Sequence, residues 1–251
     1  MSNISEATPD RWLDAQVKGH SLEGADTVGI WQQPKLLALR KLARRWCPNP
    51  QVAVDLGCFS GVFSRALFGD VPRLIGYDAH PEALALARQA GLETHLVDLG
   101  NSTPGPVPAK IADVVLCADV IEHVIEPRYL LKEAQRLLKP DGVLLLSTPN
   151  LAYWKSRLRL LWGAPPYCSN GVAPEFRSDR WVDPTHLHVS TSSEWVAFLT
   201  AENWDVLEAG GAHQHIGGRR HALPRVLDRA FNRWRPSLSL IQVLALRFRQ
   251  P

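Results

Sequence analysis

The sequence predicts a doubly wound α/β sheet with mostly parallel strands, and three observations carry that reading. Short apolar runs alternate with amphipathic stretches across residues 51–147, the pattern of parallel strands joined by right-handed helical crossovers. A glycine-bearing turn, Asp55-Leu56-Gly57-Cys58-Phe59-Ser60-Gly61, follows the first run and opens a helix. Acids close three successive runs at Asp55, Asp78 and Asp98, at the carboxyl ends where such sheets gather ligands.

The chain has 251 residues, 45% hydrophobic and 21% charged. That is enough to bury one full core, so a single domain over 1–251 is expected. Residues 1–48 form an N-terminal arm and helix, and 151–183 form an aromatic insertion. Cys47, Cys58, Cys117 and Cys168 show no paired spacing, which argues against a disulfide framework and a zinc site. With no charged and apolar leader and no run long enough to span a bilayer, a cytoplasmic location is expected. Charge is uneven. From Ile216 onward there are eight arginines, with Asp228 the sole acid, while the body before it is slightly acidic.

Residues 1–30 are polar and glycine-dotted and read as a lid. Trp31 to Trp46 then places Leu36, Leu39, Leu42, Ala43 and Trp46 at helical spacing. Pro34 suits its first turn, and Cys47-Pro48-Asn49-Pro50 ends it. Gln51–Leu56 is the first strand and Val62–Leu67 the helix after the glycine turn. Arg73–Asp78 is the second strand, and Pro81–Ala90 a helix with proline at its start and Gly91 past its end. Thr94–Asp98 is the third strand, and Ala112–Ala118 a fourth, apolar enough to be buried on both faces. Pro127–Leu138 is a helix stopped by Lys139-Pro140-Asp141-Gly142, and Val143–Ser147 is the fifth strand.

Regular patterning stops between Leu151 and Asp183, which carry Tyr153, Trp154, Trp162, Tyr167, Phe176 and Trp181. Thr191-Ser192-Ser193-Glu194 is a capping box, opening a helix with Trp195, Phe198 and Leu199 on one face. Trp204–Ala209 is a strand, Arg220–Trp234 an amphipathic helix, and Leu238–Phe248 the closing strand. The sum is a Rossmann-like, seven-stranded sheet whose last strand runs antiparallel.

The three acids suggest a ligand. Asp78 lies 23 residues beyond Asp55, about where a ribose-binding acid follows a glycine loop. Asp98, one strand on, is placed for an adenine amino group. Asp55 suits a cation, which fits the ammonium and sulfonium of S-adenosylmethionine better than a pyrophosphate. Each acid alone is equally consistent with capping a helix; the three together favour a nucleotide.

These residues resemble a known family. Val54–Gly61, Gly76-Tyr77-Asp78 and Val97-Asp98 look like successive motifs of class I S-adenosylmethionine-dependent methyltransferases. Cys117-Ala118-Asp119-Val120-Ile121-Glu122-His123-Val124 and Leu138–Asn150 add to the likeness. They are similar to the subgroup that holds the ubiquinone-biosynthesis O-methyltransferases and the methionine-biosynthesis W-type proteins. One departure is Phe59, where the family usually has glycine. The resemblance implies that Asp55, Gly57, Phe59 and Gly61 surround the methionine part of the cofactor. Asp78 would hold its ribose, Asp98 and Leu99 its adenine, and Ala118 and Asp119 would line the site beside the methyl.

His123 and His186 face one another across the mouth of the crevice in this reading. One of them is expected to be the general base for a substrate hydroxyl. Against that stand a divalent cation at Asp119, Glu122, His123 and His186, and a purely structural Glu122-His123. The expected acceptor is a small molecule: a sugar, phenol, quinone precursor or secondary metabolite. RNA 2′-O-methylation and a non-catalytic cofactor-binding role, which Phe59 favours, are the alternatives. Nucleic acid is disfavoured by the acidic body, and Arg220–Trp234 admits a peripheral membrane contact.

Overall fold

The computed structural model describes residues 22, 25–29, 32–168, 185–213 and 222–250. Trp31, Phe176, Trp181 and Asp183 lie outside them, as does most of the expected arm. The first elements are α1 (Gln33–Trp46), β1 (Val52–Leu56), α2 (Val62–Phe68), β2 (Arg73–Asp78), α3 (Pro81–Gln89) and β3 (Glu93–Leu96). There follow β4 (Ala112–Ala118), α4 (Pro127–Leu137), β5 (Leu138–Pro149), α5 (Trp154–Leu161) and α6 (Ser192–Ala201). Then come β6 (Trp204–Ala212), α7 (Ala222–Trp234) and β7 (Ile241–Phe248).

The strands lie in the order β3-β2-β1-β4-β5-β7-β6. Strands β1 to β5 pair in parallel, and β7 runs antiparallel to both β5 and β6. This is the seven-stranded, mostly parallel sheet read from the sequence. Its order reverses between β1 and β4, so the ligand crevice belongs beyond the carboxyl ends of those two strands.

Alternate residues of each buried strand feed opposite faces of the sheet. On one face Val54, Leu56, Val115 and Leu146 pack with Leu130 and Leu137 of α4 and with Trp195 and Leu199 of α6. On the other, Ala53, Leu116 and Leu145 pack with Leu36, Leu39 and Leu42 of α1, Leu67 of α2 and Leu84 of α3. Helix starts follow their local chemistry. Ala83 N–H donates to the His80 ring at 3.4 Å ahead of Pro81, and Glu194 N–H donates to Thr191 Oγ1 at 3.3 Å, as the capping box requires.

Three boundaries differ from expectation. Strand β3 ends at Leu96, so Asp98 sits on the following loop. Strand β5 begins at Leu138, straight out of α4, because Leu138 already pairs with Ala112 before a register shift lets Val143 pair with Val114. The apparent stop Lys139–Gly142 lies inside that irregular strand. Gly142 is needed there, since a Cβ would come within 3.1 Å of the Ala112 carbonyl. Finally, the insertion is not irregular throughout: Trp154–Leu161 is helical. It starts after Asn150, whose amide donates to Ser237 O and Ser239 O and accepts from Ala152 N–H.

Helix α7 is fastened to α5 through its one acid. Buried Asp228 accepts from Tyr153 Oη at 3.0 Å and Trp154 Nε1 at 2.7 Å, and pairs with Lys155 Nζ at 2.8 Å. Phe231 packs on Trp154 with ring centroids 5.7 Å apart. Among the described residues no helix is long and apolar enough to cross a membrane. Because Asp228→Ala strands the buried Tyr153 hydroxyl and two part-buried donors, one of them charged, it should lower stability by about 1–3 kcal/mol in urea unfolding. A loss under about 0.5 kcal/mol would show that the anchor contributes little.

Candidate active site

The crevice starts at the turn after β1. Gly57 N–H and Cys58 N–H both donate to Tyr77 O, at 2.8 and 2.9 Å, folding the turn across the end of β2. Gly57 has φ +80°, and a Cβ there would lie 2.4 Å from Val120. Gly61, at φ +72°, would meet Leu92 at 2.8 Å and the Ala87 backbone at 3.2 Å. Both positions therefore require glycine for conformation and for space. Phe59 adopts the same left-handed region, at φ +47°, without glycine's freedom. Its N–H donates to Asp78 Oδ2 at 2.7 Å, and His80 N–H donates to Oδ1 at 2.9 Å. The Phe59 ring meets His80 edge-on at 6.0 Å. Asp78 thus fixes the turn through backbone donors.

Asp55 is buried beneath the turn. Burial pushes its carboxyl up to about 7; a hydrogen bond from Ser64 opposes that shift, the charge of Asp78 adds to it, and Lys35 opposes it. Asp119 follows Ala118, the last residue of β4, in a left-handed conformation at φ +57°. It is held at three points: its N–H donates to Ser147 O at 3.0 Å, Ser147 Oγ donates to Oδ1 at 2.6 Å, and Lys35 Nζ pairs with Oδ2 at 2.5 Å. Burial would raise this carboxyl, but the Lys35 ammonium and these hydrogen bonds hold it below its ordinary value.

Lys35 was not legible as a site residue. It reaches in from the first turn of α1, is 5% exposed, and lies 4.9 Å from the centre of the Phe63 ring. The available signal was register. Lys35 is one helical turn before Leu39 and two before Leu42, so it falls in the buried stripe.

The rim beyond β4 gathers Glu122, His123 and His186. Their ligand-capable atoms lie within 4.8 Å of one another, and the two rings are 4.7 Å apart. The segment from Thr185 is stitched to this turn by Leu187 N–H and His188 N–H, which donate to Glu122 O at 2.8 and 3.1 Å. His123 Nδ1 is 3.1 Å from Thr185 O and His186 Nδ1 is 2.8 Å from Cys168 O. A carbonyl only accepts, so Nδ1 of His186 donates to it and, in a neutral ring, Nε2 carries the lone pair; His123 Nδ1 has the Thr185 hydroxyl at 3.1 Å as well as the carbonyl. Glu122 is fully buried, and among the described residues neither carboxylate oxygen has a partner in hydrogen-bonding geometry, the Thr148 hydroxyl being the nearby donor. Burial first, then the charge of Asp119, push it well above the usual carboxylate range. Asp119 stands apart from this group, engaged by Lys35 and Ser147.

Asp98 and buried Leu99 lie further along. Asp98 accepts from Gly100 N–H at 2.8 Å and Asn101 Nδ2 at 3.0 Å. Both residues line a cleft of about 270 Å³ with Tyr129, Lys132 and Arg136. The structure therefore brings Asp55, Gly57, Phe59, Gly61, Asp78, Ala118 and Asp119 to one crevice, sets His123 and His186 on its rim, and leaves Asp98 on the loop past β3.

A doubly wound sheet with a glycine turn at its first crossover and carboxylates beyond the strands defines a nucleotide-cofactor fold. Residues 30–209 match the family described as methyltransferase domain. The ubiquinone biosynthesis O-methyltransferase of Burkholderia multivorans is 30% identical over 182 residues, 70% of this chain and 74% of its own. That of Haemophilus ducreyi is 34% identical over 105 residues, 39% of this chain and 44% of its own. The fold is shared with a chain from the complex of the Haloferax volcanii Trm112 methyltransferase activator with a methyltransferase, at TM-score 0.60, 19% identity and 96% coverage of both chains. It is shared also with the N-methyltransferase NodS of Bradyrhizobium japonicum in complex with S-adenosyl-L-homocysteine, at TM-score 0.54, 14% identity and 88% coverage of both. The chain belongs to the class I S-adenosylmethionine-dependent methyltransferases.

Two outcomes test the geometry. Gly57→Ala drives a Cβ into Val120 at an unfavourable φ, so cofactor affinity should fall at least about tenfold by calorimetry, with about 1–3 kcal/mol of stability lost. Asp55 titrates near 4 when unfolded and about 7 when folded. Between those values the folded chain binds more protons, so its stability falls as pH rises through the window. Urea midpoints across that window should show the decline, and Asp55→Asn should flatten it.

Proposed function

We propose that the protein transfers the methyl group of S-adenosylmethionine to a hydroxyl of a small molecule. The observation that carries this reading is the His123–His186 pair, each ring held through Nδ1 by a backbone carbonyl, at the mouth of the crevice. The O-methyltransferase relatives support it. The cofactor fits the residues present: two glycines whose side chains would fill the cradle, carboxylates for cations and hydroxyls, and one buried ammonium.

In this reading S-adenosylmethionine supplies the electrophilic methyl group. Asp78 would accept from the ribose, Asp98 and Leu99 would meet the adenine, and Asp55 and Lys35 would face the charged groups of the methionine part. The turn of Gly57, Phe59 and Gly61 would hold that part, and Ala118 and Asp119 would border the methyl. Nε2 of His186 or His123 takes the proton of the attacking hydroxyl, and backbone anchoring keeps that nitrogen aimed without a conformational search.

A second reading has its own support. Glu122 is buried with neither oxygen in hydrogen-bonding geometry to a described residue, beside two imidazoles whose Nδ1 atoms lie against carbonyls, the usual environment of metal-bound histidine. Glu122, His123 and His186 would then hold a divalent cation that lowers the pKa of the acceptor hydroxyl. This donor set suits a borderline metal or manganese better than magnesium.

His123→Ala and His186→Ala should each reduce turnover about 10²–10⁴-fold, with cofactor affinity unchanged by calorimetry. Full activity in both variants would remove the rim from the chemistry. Dialysis against a chelator distinguishes the readings. Retained turnover supports the base; loss, with recovery on adding manganese or zinc, supports the cation.

A further inference from the structure

Apart from Trp154, which packs on Phe231, helix α5 carries its bulky apolar residues on the solvent side. Leu158, Leu161 and Trp162 stand at helical spacing on one face, and Leu160 is exposed beside them. Leu161 is 78% exposed and Trp162 77%. The side turned inward instead carries Ser156, fully buried, with buried Tyr153 just ahead of the helix. A helix that merely closes a core shows the opposite arrangement, and clustered exposed apolar residues mark a surface that meets something.

Helix α7, the stretch the sequence suggested for membrane contact, turns Phe231 and Asp228 onto Tyr153, Trp154 and Lys155. Outward it shows exposed Val226 and Trp234 together with exposed Arg233 and, just beyond its end, exposed Arg235. Around α5 the charge is likewise of one sign. No acid occurs from Leu151 to Cys168, and exposed Arg157 donates through Nε to the Ala152 carbonyl, with no acidic partner among the described residues.

We propose that this face docks the enzyme on an anionic phospholipid surface. Leu158, Leu161 and Trp162 enter the boundary between headgroups and acyl chains, while Arg157 and the adjoining arginines meet lipid phosphates. Nucleic acid would use the arginines but gain nothing from two leucines standing in water beside them. Placement supports the role. Helix α5 leaves the carboxyl end of β5, and the chain returns within six residues of Trp162 to Cys168, whose carbonyl holds His186. The docking face therefore lies on the rim where the crevice opens. The docking is independent of which acceptor is methylated.

Flotation with vesicles tests it, using the full chain against phosphatidylcholine alone and phosphatidylcholine mixed with phosphatidylglycerol. The wild type should float at least about fivefold more with the anionic vesicles. Leu161→Ser with Trp162→Ser, and separately Arg157→Glu, should each abolish most of that gain. Unchanged melting temperature and cofactor affinity in these variants would exclude misfolding. Tryptophan emission should shift to the blue on vesicle addition in the wild type and much less without Trp162. Equal recovery with both vesicle types, no flotation, or flotation indifferent to the substitutions would overturn the proposal. So would retention of a short RNA in preference to the anionic vesicles.

Discussion

Two buried carboxyls, Asp55 and Glu122, and a part-buried third, Asp119, share the crevice with the buried Lys35 ammonium, and that imbalance governs the site. The charge of Lys35 bears on Asp55, Asp119 and Glu122, and of these three it pairs directly with Asp119. Low-dielectric surroundings make an unpaired charge costly. The three groups therefore part company: Asp119 stays ionised below its ordinary value, Asp55 moves to about 7, and Glu122 rises well above. A cationic cofactor relieves the same imbalance, because its positive charge favours the ionised form of Asp55. Binding and proton release are then two sides of one equilibrium.

The glycine turn shows how tightly the scaffold constrains this chemistry. Asp78 receives the N–H groups of Phe59 and His80, so the end of β2 dictates the path of the loop after β1. Phe59 holds a left-handed conformation that costs a non-glycine residue roughly 1 kcal/mol. The Asp78 bond and the His80 ring contact offset that strain. A residue that breaks the glycine pattern in the sequence is thus held in the left-handed conformation that glycine adopts freely.

Much of the fold was legible because buried parallel strands leave a strong trace: apolar runs, terminal acids, and prolines at helix starts. The site was legible where chemistry coincided with those ends, as at Asp55, Gly57, Gly61, Asp78 and Asp119. What escaped was placed by tertiary contact. Lys35 reads as an ordinary helical lysine until α1 is laid across the sheet. Helix α5 was hidden because its outward face is apolar, which defeats the amphipathic signal. The early start of β5 was hidden because Pro140-Asp141-Gly142 has turn chemistry yet sits in a strand beside a register shift. Asp98 was assigned to a strand end because β3 is only four residues long and its alternation continues past its last pair.

Strand β7 lies between β5 and β6 and pairs with both, although it is the last to be made. Until residue 248 is in place, β6 has no partner in the sheet, and β5 presents a bare edge of apolar residues. During synthesis the parallel core from β1 to β5 can assemble behind the growing chain, but closure waits for the final segment. The nascent protein thus passes through a stage with an open, sticky edge. The fold relies on its C-terminal strand to seal that edge as much as to fill the core.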